Sequence, residues 1–210
     1  ANPVEALFEV YSTPIWQVLK SLPVIVDQER DCSEYWFSRL YLTCLAGSIA
    51  DRFPDITKQY IQDSVPAKEK TRKQQIVSWM DNLSRAKEIA YVMEKLINLQ
   101  NPDGTWPWFK GMGCDWFMTQ QIVAGLGELK AWGIFDVSAN QSGRYMLTKA
   151  VEAMDKWLYQ QYLDVVRLDS VHPQKVHMSP LIIHTLYARS YFPAITMNPA
   201  QEIARLHFNE

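Results

Sequence analysis

Cys32, Ser33 and Glu34 stand together in the stretch RDCSEYWFSRL, residues 30–40, a thiol close to a carboxylate at what reads as a helix start. Such a pair is where nucleophilic chemistry would be sought first. The histidines offer less. His172, His177, His184 and His207 are scattered, and apart from His177 and His184, two turns apart, none stands at metal-binding spacing from another. There is no H-E-x-x-H, no acidic pair placed for acid–base work, no P-loop and no G-x-G-x-x-G after a strand. The spacing of Cys32, Cys44 and Cys114 matches no zinc pattern. The expectation is therefore a chain with no metal, no cofactor and no catalytic residue. His184, between Ile182, Ile183 and Leu186, reads as an amphipathic residue at the edge of the core.

The second constellation is the loop LQNPDGTWPWFKGMG, residues 99–113, which sets Gln100, Gly104 and Trp106 in a Q-x-x-x-G-x-W arrangement with Trp108 close behind. Asn101-Pro102-Asp103-Gly104 is a turn, with Pro102 fixing φ and Gly104 free to take a positive φ. Trp106 and Trp108 can then fold over helix ends, and Gln100 can bond backbone groups left open there. Turn chemistry accounts for every residue in the loop, so it reads as a structural staple between two helices.

The elements that hold these residues are helices. Thr13-Pro14, Ser179-Pro180 and Asn198-Pro199 each place a capping side chain before a proline at the first helical position. Ile15, Trp16, Val18, Leu19 and Leu22 recur at helical spacing, and Pro23 is expected to bend or end that helix. Asp31 and Glu34 read as a capping box for a helix whose Trp36, Phe37, Leu40, Cys44 and Ile49 share one stripe before Pro54. Further helices are predicted from Ser84, from a cap at Asp115 to an end at Gly133, and from about Arg144 to about Val166. Gly125 and Gly127 inside the second of these would let another helix approach closely. The Lys-rich region 62–75 reads as a solvated connection or a loosely held helix. No convincing strand run is present, so the fold class is all-α, a single domain over residues 1–210.

Composition narrows the function classes. With 21 Lys+Arg against 23 Asp+Glu, no positive excess points to nucleic acid or to an anionic membrane surface. No apolar run approaches the ~20 residues of a membrane span, so no direct membrane insertion is expected. The stretch ANPVEALFEVY lacks a basic region followed by an apolar one, and any signal peptide is expected to have been removed or never present.

Three segments together carry a family resemblance. NPVEALFEVYSTPIWQVLKSLPVIV, CSEYWFSRLYLTCLAGSIADRFPDI and LQNPDGTWPWFKGMGCDWFMTQQIVAGLGELKAWGIF occur in the order seen in bacterial alpha-2-macroglobulin-like proteins and resemble their thioester domain. LIIHTLYARSYFPAI, near the end, is similar too. The resemblance implies an α/α toroid of helix hairpins. A complete toroid has about six hairpins, and short connections leave this chain room for about eight to ten helices, so the toroid is expected to be incomplete here.

The family's reactive motif is Cys-x-Glu-Gln, usually after Gly, in which the Cys sulfur and the Gln acyl group form an internal thioester. Cys32 and Glu34 match it; Tyr35 stands in place of Gln and Asp31 in place of Gly. The remnant Cys32, Ser33, Glu34, Tyr35 therefore implies a site without its acyl group. The downstream histidine that some members use is also missing from KGMGCDWFMTQ. The resemblance implies a non-catalytic domain of a protease-trapping protein of the periplasm or cell envelope. Its partners would be the other macroglobulin domains of a longer chain, and proteases. The alternative is an enzyme of the terpenoid-cyclase or prenyltransferase type, whose repeats the Q-x-x-x-G-x-W loop also resembles, or a binding module on the same toroid.

Overall fold

A computed structural model describes residues 14–25, 30–65, 69–169 and 178–208. Among the described residues the chain is all-α: nine α-helices, one short 3-10 turn and no strand. The helices are α1 (Pro14–Ile25), α2 (Ser33–Arg52), α3 (Pro54–Gln62), α4 (Lys70–Met80), α5 (Asn82–Leu99), α6 (Trp116–Ala131), α7 (Gln141–Asp169), α8 (Pro180–Ser190) and α9 (Pro199–His207).

Their ends follow local chemistry. Asp81 caps α5 by accepting the Ser84 amide, so the helix begins slightly before Ser84. Asp115 caps α6 at the Met118 amide (2.7 Å), and Gly133 just beyond its end takes φ +65°. Ser179 and Asn198 cap α8 and α9 ahead of their prolines, the latter in a full capping box with Gln201. Thr13, the third predicted cap, lies outside the described residues. Asn140 accepts the Gly143 amide, which starts α7 before Arg144.

Three expectations need correction. Asp31 and Glu34 form no capping box. The helix boundary falls one residue later, with Cys32 as the N-cap and no side-chain cap bond. Asp31 accepts the Trp36 indole N–H instead (2.7 Å), and Glu34 accepts the Ser38 hydroxyl (3.0 Å). Pro23 does not end α1, which runs on to Ile25; so near a C-terminus a missing N–H removes little of the helix's bonding. The end of the region 62–75 is held more firmly than expected: from Lys70 it belongs to α4, which packs on α1, α2 and α5, while residues 66–68 lie outside the described residues. Ile76 and Trp79 are buried there, and Lys73 is only 6% exposed. Lys73 donates to the Ile61 and Asp63 carbonyls and lies 5.0 Å from the Tyr60 ring centre, and burial lowers its pKa.

The helices form two layers. α6 packs between α2 and α8, and behind them α5, α7 and α9 follow one another, with α4 against both α2 and α5. The main core joins α2, α5, α6 and α7 through side chains such as Leu40, Leu96, Ile122, Leu126 and Val151. A second cluster around Leu19, Tyr60 and Trp79 ties α1, α3 and α4 to α2. Glycines permit the tightest approaches, as expected: a Cβ on Gly125 would meet the Phe37 ring at 2.3 Å, and one on Gly127 the Tyr191 side chain at 2.4 Å.

One buried ion pair clamps α7 to α8. Arg189 Nε donates to Asp155 Oδ1 (2.9 Å), and its other nitrogens donate to the Phe192 and Ile195 carbonyls, fixing the turn before α9. Asp155 Oδ2 is buried and has no hydrogen-bond partner among the described residues. Burial outweighs the attraction of Arg189 and pushes the Asp155 pKa up to about 6.

Candidate functional site at the start of α2

The start of α2 and the loop after α5 meet. Cys32, in extended conformation (φ −132°, ψ 161°), forms a single antiparallel bridge with Phe109, and the Ser33 amide donates to the Trp108 carbonyl at 3.0 Å. That second bond satisfies one of the donors a helix N-terminus leaves open. Cys32 is a free thiol, 3% exposed. Ser33 is fully buried, and its hydroxyl has no hydrogen-bond partner among the described residues.

Tyr35 is also buried, edge-on to Trp36 with ring centres 5.0 Å apart. Its hydroxyl accepts from Arg39 Nη1 (2.9 Å), and Arg39 is ion-paired to Glu88 on α5. Glu34 is exposed and engaged with Ser38. Around Cys32, then, stand a phenol held by a guanidinium and a carboxylate turned to solvent. Neither supplies an activated acyl carbon for the thiol.

The loop is built as its turn chemistry requires. The Gly104 amide donates to the Asn101 carbonyl (2.9 Å), and Gly104 takes φ +94°. Gln100 donates to the carbonyls of Gly104 and of Met146 on α7, both at 2.9 Å. Trp106 is fully buried; its indole donates to the Leu96 carbonyl at the end of α5 and its amide to Thr119 on α6 (both 2.9 Å). Trp108 donates to Asp115 Oδ2 (3.0 Å), whose other oxygen caps α6. The loop thus ties α2, α5, α6 and α7 together. Gln100, Gly104 and Trp106 act as the staple, while Trp108 reaches the start of α2 through its carbonyl.

The outer side of this junction is apolar and exposed at Trp108, Phe109, Met112 and Phe117. Phe109 and Arg39, which sequence reasoning missed, make contacts distant in sequence that no local pattern announces.

The remaining candidates stand apart from one another. Burial pushes the Cys44 thiol up to about 12 and also raises that of half-buried Cys114. His184 is indeed at a core edge, its Nδ1 3.2 Å from Gln120 Oε1 and its ring parallel to Tyr187; burial lowers its pKa. His207 packs edge-on against Tyr162 and Phe208. His172 and His177 lie outside the described residues. No group of three potential metal ligands occurs among the described residues, and no helix there is long and apolar enough to cross a membrane.

Comparison of the chain with protein-family models, with curated proteins and with solved structures gives no match.

Proposed function

We propose that this chain is a non-catalytic thioester-like domain of a bacterial alpha-2-macroglobulin-like, protease-trapping protein, and that it holds no internal thioester. The observation that carries the reading is the contact at Cys32. Two of the segments that bear the resemblance, far apart in sequence, meet there through the Cys32–Phe109 bridge and the Ser33–Trp108 bond. The packing of α2, α6 and α8 in one layer with α5, α7 and α9 behind them supports an arc of an α/α toroid, since the chain alternates between layers.

A thioester needs a carbonyl carbon opposite the thiol, and the family's Gln supplies it three residues on, one helical turn away. Tyr35 brings a phenol to that place, and Glu34 points elsewhere. The domain would then contribute by enclosure, not by a covalent bond. Other macroglobulin domains of a longer chain would supply the bait and the remaining walls, in the periplasm or cell envelope.

The test uses the full-length protein incubated with a protease, followed by two substrates. Steric trapping predicts that cleavage of a large protein substrate falls while cleavage of a small peptide continues, and that methylamine pretreatment changes neither. Equal cleavage of both substrates with and without the protein would overturn trapping. Loss of trapping after methylamine would overturn the absence of a thioester.

A further inference from the structure

Glu128 lies near the end of α6, on the face where α6 meets α2 and α8, and both of its carboxylate oxygens accept phenol hydrogens. Tyr41 of α2 donates to Oε2 (3.0 Å) and Tyr187 of α8 donates to Oε1 (2.9 Å). Tyr191 is 2.7 Å from the Tyr187 hydroxyl. Burial and the carboxylate together push the Tyr41 pKa up, so this phenol stays a donor. Among the described residues no lysine or arginine stands within ion-pair distance of that carboxylate. The titratable groups facing it are the two phenols, Tyr191 and His184.

Beside the carboxylate opens a cleft of about 320 Å³, lined by Phe37, Ser38, Tyr41, Gln121, Gly125 and Glu128. That volume falls at the lower end of the ~300–1,000 Å³ of small-molecule sites. Gly125 lets the buried Phe37 ring pack directly on the α6 backbone, where any Cβ would strike it. The Tyr41 ring is edge-on to Phe37 (6.0 Å) and to the exposed Trp132 (6.4 Å). A carboxylate fixed by two phenols and set among aromatic rings offers a cation two attractions at once, charge and the π faces.

We infer that the cleft beside Glu128 is a binding site for an organic cation, an alkylammonium or guanidinium group. The site is separate from Cys32 and does not depend on the fate of the thioester. Its natural occupant is either a free small cation or a basic side chain of a bound polypeptide, and the two sources share this chemistry.

Calorimetric titration of the whole protein at low salt tests it with three probes: tetramethylammonium chloride, uncharged tert-butanol of similar size, and acetyl-arginine amide. At least one cation is expected to bind with a dissociation constant on the order of 1 mM, at least about tenfold tighter than tert-butanol. Glu128→Gln is expected to weaken that cation about tenfold or more. Preference for tetramethylammonium assigns the site to a free cation; preference for acetyl-arginine amide assigns it to a polypeptide side chain. The inference is overturned if neither cation binds better than tert-butanol, or if folded Glu128→Gln binds the cation as wild type does. Should Glu128→Gln fail to fold, the comparison of charged and uncharged probes on wild type still decides.

Discussion

The backbone amide of Ser33 donates to the carbonyl of Trp108 at 3.0 Å, so the first turn of α2 is held by the loop that follows α5. The bond places Cys32 under the loop, with Phe109 paired to it, and makes the loop's integrity a condition for the geometry at the thiol.

Trp106 is the side chain on which that loop turns. Trp106→Ala is expected to cost about 3–5 kcal/mol of unfolding free energy, since a fully buried indole is lost and its cavity remains. Trp106→Phe keeps most of the apolar volume and should cost less, mainly by leaving the Leu96 carbonyl without its donor. Urea unfolding of the three proteins gives the order wild type, Phe, Ala; an Ala variant as stable as wild type would contradict the staple.

Gly125 sets the distance between α6 and α2. Gly125→Ala is expected to destabilise by about 1–3 kcal/mol, because the new methyl falls 2.3 Å from Phe37 Cζ. Pairing it with Phe37→Leu should recover part of that loss, a coupling that a double-mutant cycle reads directly. Additive effects of the two substitutions would show that the contact is not the cause.

Asp155 makes stability depend on pH. Its pKa is about 6 in the folded chain against 3.8 for an ordinary Asp, so the folded state holds more protons between those values. This group's contribution is therefore fully present below about pH 4 and is lost as pH rises through about 6. Asp155→Asn should flatten the fall of Tm between about pH 4 and about 6 that this titration gives the wild type. Identical pH profiles for the two proteins would assign the titration to another group.

Local chemistry and distant contacts differ in how far they could be read from sequence. The turn from Asn101 to Gly104, the caps at Asp115, Ser179 and Asn198, and the close approaches at Gly125 and Gly127 all rest on neighbours within a turn or on the smallness of one residue. At Asp31 capping types crowd together, and only the docking of the loop decides that Cys32 is the N-cap. The run of charges over 62–75 hides one lysine, Lys73, that reaches back to the end of α3. The Cys32–Phe109 pairing and the Tyr41–Glu128–Tyr187 network depend on which helices become neighbours, and neither leaves a periodic trace.

The central claim, that Cys32 is a free thiol with no acyl partner, is tested most directly by intact-mass measurement of the native protein before and after methylamine, with thiol titration. The account predicts the mass of the unmodified sequence, without loss of ammonia, and no change on methylamine treatment. It also predicts that Cys32 and Cys44 react with a thiol reagent only once the chain is unfolded, Cys114 being the more accessible. A native mass lower by one ammonia, with methylamine addition and a newly reactive Cys32, would contradict it.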